Sequence, residues 1–275
     1  MQMKETVIRP QSGWKLLDLR AIWDYRELFY ILAWRDIKVR YRQTVLGVIW
    51  VVLQPLTSML IFSLLFGRYA KVPSGDLPYP LFVLSGIVYW NLFSNAITNA
   101  NDSMLANENL IKKVYFPKII LPLASYVTTM VDFSFNMILL LGFAIILGYV
   151  PHWQFFIVFP LSLIMTSITA VGFGLLFSSL NVKYRDVRYV IPHIMQVLFF
   201  FTPIIYPLSI VSPTNRNILS LNPMVTVIEA VRISLIGGNF PYSQIIIISI
   251  TSALAVFIIG LIYFAKTEKF FADIL

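Results

Sequence analysis

From residue 45 onward the chain alternates long apolar runs with short polar interruptions. Six runs stand out, at 45–66, 80–104, 119–148, 153–178, 189–206 and 242–265. Each is close to the roughly 20 residues that a helix needs to cross about 30 Å of hydrocarbon. A chain built of such runs is expected to be an all-α integral membrane protein with six transmembrane helices, because a lone helix satisfies its own backbone in lipid. Upstream, residues 14–42 have helical periodicity without enough apolarity to span. Tyr30, Trp34, Ile37 and Tyr41 share one face, while Arg35, Lys38 and Arg42 share another. With no soluble domain to pack on, this N-terminal amphipathic helix is expected to lie in the membrane interface. The expected organisation is a loose tail and interface helix over 1–42 and a six-span domain over 43–275.

Two interruptions have structure of their own. Between runs two and three, residues 107–122 read Asn-Glu-Asn-Leu-Ile-Lys-Lys-Val-Tyr-Phe-Pro-Lys-Ile-Ile-Leu-Pro. Pro117 lacks an N–H, so a helix through Leu110 to Tyr115 is expected to break near Phe116 and restart after Lys118. Glu108, Lys112 and Lys113 make one side charged, and Leu110, Ile111, Val114 and Tyr115 make the other greasy. The segment fits either a plain Lys-rich loop or a stub that touches a soluble protein. Between runs five and six, Ser212-Pro213 makes a turn. Asn222-Pro223 is a cap-plus-first-turn signature, and Gly237-Gly238 closes the helix it opens. Met224, Val227, Ile228, Val231 and Leu235 form an apolar stripe on it, so a short outer helical pair is expected in place of a bare loop.

Charge sets the orientation. Of 21 basic residues, 17 fall on one side if the N-terminus is inside, leaving Arg68, Lys71, Arg216 and Arg232 outside. That bias and the even span number place both termini in the cytosol of a plasma or inner membrane. No secretory leader is apparent. The net charge of +8 follows from this bias and calls for no nucleic acid, since the basic residues flank apolar runs. The composition, 58% hydrophobic and only 12% charged, agrees with a membrane protein. The absence of cysteine excludes disulfides, zinc thiolate sites and a cysteine nucleophile.

Candidate chemistry is sparse. Asn91, Asn95, Thr98 and Asp102 recur at helical spacing in run two, as do Ser125, Thr129, Asp132 and Asn136 in run three. Such stripes face either neighbouring helices or a water-filled path. Asp132 is the one acid deep in a run, and a hydrogen bond to Asn or Ser of run two is its expected role. Thr166, Ala170, Gly174 and Ser178 form a small-residue ridge suited to close helix packing. Trp50, Tyr89, Phe93, Phe200 and Tyr206 fit either the aromatic belt at the membrane surface or a weak stacking surface for sugar rings. His152 and His193 fall at opposite faces and cannot share a metal. No phosphate loop is present, so any ATP and magnesium must be held by another chain.

Three stretches together resemble permease subunits of ABC-type exporters of O-antigen, capsule and teichoic acid. They are Arg40-Tyr41-Arg42-Gln43-Thr44-Val45-Leu46-Gly47-Val48-Ile49-Trp50 leading to Gln54-Pro55, the 107–122 segment with Asn109-Leu110-Ile111-Lys112-Lys113-Val114-Tyr115-Phe116-Pro117, and Asn222-Pro223 with Glu229-Ala230-x-Arg232. The resemblance is nearest to the O-antigen exporters. It implies two copies of this chain and two cytosolic ATP-binding subunits, moving a lipid-linked polysaccharide across the inner membrane. It implies that spans one and five line the channel, and Trp50, Tyr89, Phe93, Phe200 and Tyr206 are the aromatic residues expected to line it. It further implies that the interface helix and the coupling stub (Glu108 to Lys113, with Tyr115) meet the ATPase, and that the outer pair gates the exit. Arg40 and Arg42 then stand where a lipid pyrophosphate arrives, being suited to anions. An exporter of small drugs or lipids shares the frame. A membrane transferase would need clustered carboxylates or a histidine at the cytosolic face, and Asp186 with Arg185 and Arg188 is too sparse for that.

Overall fold

A computed structural model describes residues 19–42 and 47–271. The tail, the helix start at Trp14, the Gln43 to Leu46 part of the first motif and the span-one start at Val45 lie outside the described residues. Among the described residues all regular structure is helical: α1 (Leu19–Asp24), α2 (Arg26–Arg42), α3 (Val48–Phe62), α4 (Tyr79–Ala106), α5 (Glu108–Lys113), α6 (Ile120–Ile146), α7 (Trp153–Lys183), α8 (Val187–Phe201), α9 (Pro213–Leu219), α10 (Pro223–Ile236) and α11 (Ser243–Thr267). α3 continues into a wider π-helical end over Ser63–Tyr69, and Glu268–Phe270 forms a short 3-10 turn after α11.

Five of these helices are long and apolar enough to cross a membrane: α3 with its π end, α4, α6, α7 and α11 with its turn. The fifth expected run behaves differently. α8 has 15 residues, about 22 Å of helix against a hydrocarbon core of about 30 Å. Beyond it Thr202 to Ile205 run as irregular, buried backbone. α9 and α10 form a pair bent by 111°, which makes a sixth crossing if counted as one broken span. Irregular backbone at such depth is tolerated only inside protein, where its polar groups find partners. Arg232 and Tyr79 are those partners: Arg232 Nη1 and Nη2 donate to the carbonyls of Pro203 at 2.6 Å and Ile204 at 2.7 Å, and Tyr79 OH to that of Ile205 at 2.7 Å.

The polar caps act as the sequence led us to expect. Asn222 Oδ1 accepts from Met224 N at 3.1 Å, Pro223 occupies the first turn of α10, and Gly237 ends it with φ +78°. Arg232, expected among the outer surface cations, is instead 3% exposed. It lies over the Phe82 ring at 3.5 Å and beside Glu229 at 3.7 Å.

α4 is the axis of the bundle. It packs on α6, α7, α10 and α3, and 78% of its most apolar window is buried, against 11% for α3 and 22% for α11, which are peripheral. The small-residue ridge of α7 faces α4 at Gly174, where a Cβ would come within 2.8 Å of Ala100. A second close crossing joins α7 to α11. A Cβ on Gly172 would meet Phe257 Cα at 2.7 Å, and one on Gly260 would fall on the Gly172 carbonyl.

α2 does more than rest on the bundle. Leu32 and Ala33, outside the expected apolar face, are buried beside Ile119, Ile120 and Ala124. Farther along, Tyr41 packs edge-on against Phe135 at 6.0 Å. Tyr30 and Trp34 of the expected face are exposed and stack on each other at 6.4 Å.

Candidate functional site

The stub between α4 and α6 is shaped by three inward anchors. α5 ends at Lys113, earlier than the Tyr115 expected, because Val114 turns to extended backbone (φ −128°, ψ 134°). Extended backbone sends successive side chains to opposite sides. That alternation separates Tyr115, 65% exposed, from Phe116, 2% exposed, while Val114 at the helix exit is exposed as well, at 45%. Ile111, taken with Leu110 as part of the outward greasy side, is a buried anchor at 3%. Ile111 and Phe116 pack among Met104, Ile119, Ile120, Phe264 and Phe271. The third anchor comes from the C-terminal turn, where Glu268 Oε1 accepts from the Lys118 backbone N–H at 2.7 Å.

Outward, the stub presents Asn109, Lys112, Lys113, Val114 and Tyr115, all exposed. Glu108 pairs with Lys112 one turn away. The hydrogen bond and charge of Lys112, with a smaller contribution from Arg185, hold the Glu108 carboxyl below its usual range. The result is a rigidly seated knob with two bare apolar side chains and a basic rim.

The cations assigned to a lipid pyrophosphate part company. Arg42 is exposed. Arg40 Nη2 pairs with Asp132 Oδ2 at 2.7 Å, and Tyr41 OH donates to Asp132 Oδ1. Burial and then the Asp132 carboxylate push the Tyr41 hydroxyl above its ordinary range, so it stays a donor. Asp132 therefore takes its partners from α2 and not from Asn or Ser of α4. Residues 40 and 132 are far apart in the chain, and no periodicity links them.

The polar stripes also divide. On α6, Ser125, Thr129, Asp132 and Asn136 are buried. Asn99 Nδ2 of α4 donates to Thr129 Oγ1 at 3.0 Å, which makes this stripe a packing surface. On α4, Asn91, Asn95, Thr98 and Asp102 are half-buried, and Asp102 lies 3.6 Å from Arg188 of α8. These polar groups and Ser94 share the partly exposed side of α4.

Two aromatic assignments are corrected by the position of α4. Tyr89 and Phe93 are 0% and 1% exposed, enclosed by α6 and α7, and line no channel within this chain. Tyr89 OH bonds Ser162 Oγ at 2.7 Å and the ring meets Phe133 edge-on at 5.3 Å. Phe93 packs on Trp90 and Phe173. Trp50 and Phe200 are exposed, and Tyr206 is half-buried with its hydroxyl on the Phe201 carbonyl. Phe199, on α8, bridges Phe62 of α3 at 5.6 Å and Trp90 of α4 at 5.8 Å.

Compared with known proteins, residues 27–236 match the model of the ABC-2 type transporter family. That stretch runs from α2 to the end of α10, far more than half the chain. The chain belongs to this family. Among its relatives, the O-antigen export system permease protein RfbA of Klebsiella pneumoniae is 28% identical over 90% of this chain and 95% of its own length. The protein of the same name from Myxococcus xanthus is 27% identical over 92% and 97%. The polysialic acid transport protein KpsM of Escherichia coli is 24% identical over 74% and 79%. The α5 stub, the Arg40–Asp132 pair and the Arg232 cluster all fall inside the ABC-2 match.

Proposed function

We propose that this chain is the transmembrane subunit of an ATP-driven exporter that carries a lipid-linked polysaccharide, most simply an O-antigen on a polyprenyl pyrophosphate, across the inner membrane. ATP and magnesium are held by a separate cytosolic subunit, two copies of which serve two copies of this chain. The observation that carries the reading is the α5 knob. Tyr115 and Val114 stand bare beside Lys112 and Lys113, on a base fixed by Ile111, Phe116 and the Glu268–Lys118 bond. A rigid seat with an exposed apolar tip suits a contact that must transmit force, because a loose loop would yield instead. The exported chemistry is supported by the relatives named for O-antigen and polysialic acid. The bare apolar faces of α3 and α8, with Trp50 and Phe200, are where a second copy and the cargo meet this one. With Arg40 engaged by Asp132, Arg42 is the residue of that pair left to face the pyrophosphate.

Depletion of the chain in its host is the direct test. Surface polysaccharide should fall while its lipid-linked form accumulates on the cytosolic side, and re-expression should reverse both. Unchanged surface polysaccharide with loss of some other exported lipid would replace the cargo.

A further inference from the structure

We propose that Arg40 and Tyr41 latch α2 onto α6 through Asp132, so that α2 moves as one body with the α5 knob. Arg40, Tyr41 and Asp132 are then positioning residues, and Asp132 is no transport site for a proton or cation. The consequence for transport rests on the exporter reading above, but the latch itself does not.

Four observations converge. Asp132 is 4% exposed and lies 12 residues into α6, about 18 Å from its start. Both of its oxygens are engaged by α2, one by Arg40 Nη2 at 2.7 Å and the other by Tyr41 OH. The Tyr41 ring adds an edge contact to Phe135 on the next turn of α6. At its other end α2 buries Leu32 and Ala33 in the cluster that also seats Ile111 and Phe116. Ala33 and Arg40 are seven residues apart, about 10 Å of helix, and Ala124 and Asp132 are separated by about 12 Å. The matched spacing means α2 runs alongside the first half of α6 and is held at two points.

Two points matter mechanically. A helix held by one apolar patch alone can slide on it and lift from it, whereas a second, directional attachment fixes its axis. The lower patch is shared with the knob, so a push on Tyr115 reaches α2 through Ile111 and Phe116. The upper latch keeps α2 from slipping along α6 as that happens. Breaking it at Arg40 strands a buried carboxylate, and breaking it at Asp132 removes the charge that both Arg40 and Tyr41 face, the costly way to disturb an ion pair. Removing both partners together is less costly, because no charge is then stranded.

The chain has no cysteine, so Ala33→Cys is a single reporter at a position 5% exposed in the wild type. The transporter is kept in native membranes with its ATP-binding subunit and treated with a neutral, membrane-permeant maleimide. With the latch intact the thiol should be protected. Adding Arg40→Gln or Asp132→Asn should raise the labelling rate at least about tenfold, because a buried pair that loses one member is strongly destabilised. Arg40→Lys, which keeps the charge, should stay close to wild type. Arg40→Gln with Asp132→Asn should label no faster than Arg40→Gln alone. Export should fall in the variants that label and persist in Arg40→Lys. Protection of Ala33→Cys in both single neutral variants would overturn the latch. So would equal labelling of Arg40→Lys and Arg40→Gln, or an additive double. Labelling that follows the latch while export stays at the wild-type level would overturn its role in transmission. Should the wild type prove to export a different cargo, the labelling results still decide the latch.

Discussion

Arg232 shows what one buried cation can hold in place. Its guanidinium serves the carbonyls of Phe82, Pro203 and Ile204 from the start of α4 and the end of α8. It also covers the Phe82 ring and neighbours Glu229. Gly86 makes room for it, since a Cβ there would come within 2.8 Å of Nη2. Arg232→Met should cost about 3–5 kcal/mol, because it strands the Glu229 carboxyl and the carbonyls of a broken helix end. Arg232→Lys should recover only part of this, as an ammonium keeps the charge but lacks the planar fork. The midpoints of thermal unfolding of the purified variants in detergent check both, and a midpoint for Arg232→Met equal to wild type would contradict the assignment. In the sequence the Glu229-Ala230-x-Arg232 motif was visible, but its three carbonyl partners come from residues 82, 203 and 204 and leave no local trace.

Among elements, the crossing of α7 and α11 depends on Gly172 and Gly260, whose backbones touch where any side chain would collide. Gly260→Val should destabilise by roughly 1–3 kcal/mol through overpacking. Gly142→Ala in α6 is the matched control. A Cβ there meets nothing within 4 Å, and replacing a mid-helix glycine should be neutral or stabilising by up to about 1 kcal/mol. Fluorescence-detected unfolding of the two variants separates them, and equal midpoints would refute the close crossing. The sequence signalled small residues at Thr166, Ala170, Gly174 and Ser178, but the tighter pair at Gly172 and Gly260 lies off that ridge. Long apolar runs and proline breaks made five spanning helices, the stub and the outer pair legible, because these follow from local composition. The short α8 was not legible, because the apolarity of residues 202–206 continues past the point where Thr202 and Pro203 end the helix. The residues by which α2 packs on the bundle were hidden for a related reason. Tyr30 and Trp34 look apolar by periodicity, yet Leu32 and Ala33 are the residues that fit against α6.

At the scale of the whole molecule, the buried charges and the exposed knob describe one line of transmission. On the proposed exporter reading, a push on Tyr115 and Val114 passes to Ile111 and Phe116, then to α6 and α11 through the shared cluster and the Glu268–Lys118 bond, and to α2 through the Asp132 latch. The Arg232 cluster lies at the opposite end of α4 from the stub. This line was only partly readable in the sequence, where the knob could be placed but neither its anchors nor its tip could be told apart. The most direct measurement uses that distinction. Val114→Asp with Tyr115→Asp changes two exposed tips and leaves Ile111 and Phe116 in place, so the protein should insert and fold as before. Copurification of the ATP-binding subunit from membranes containing equal amounts of either form should drop at least about tenfold for the double variant, as loss of central contacts at an interface implies. Surface polysaccharide should fall with it. Full retention of the ATP-binding subunit and of export by the double variant would contradict the account.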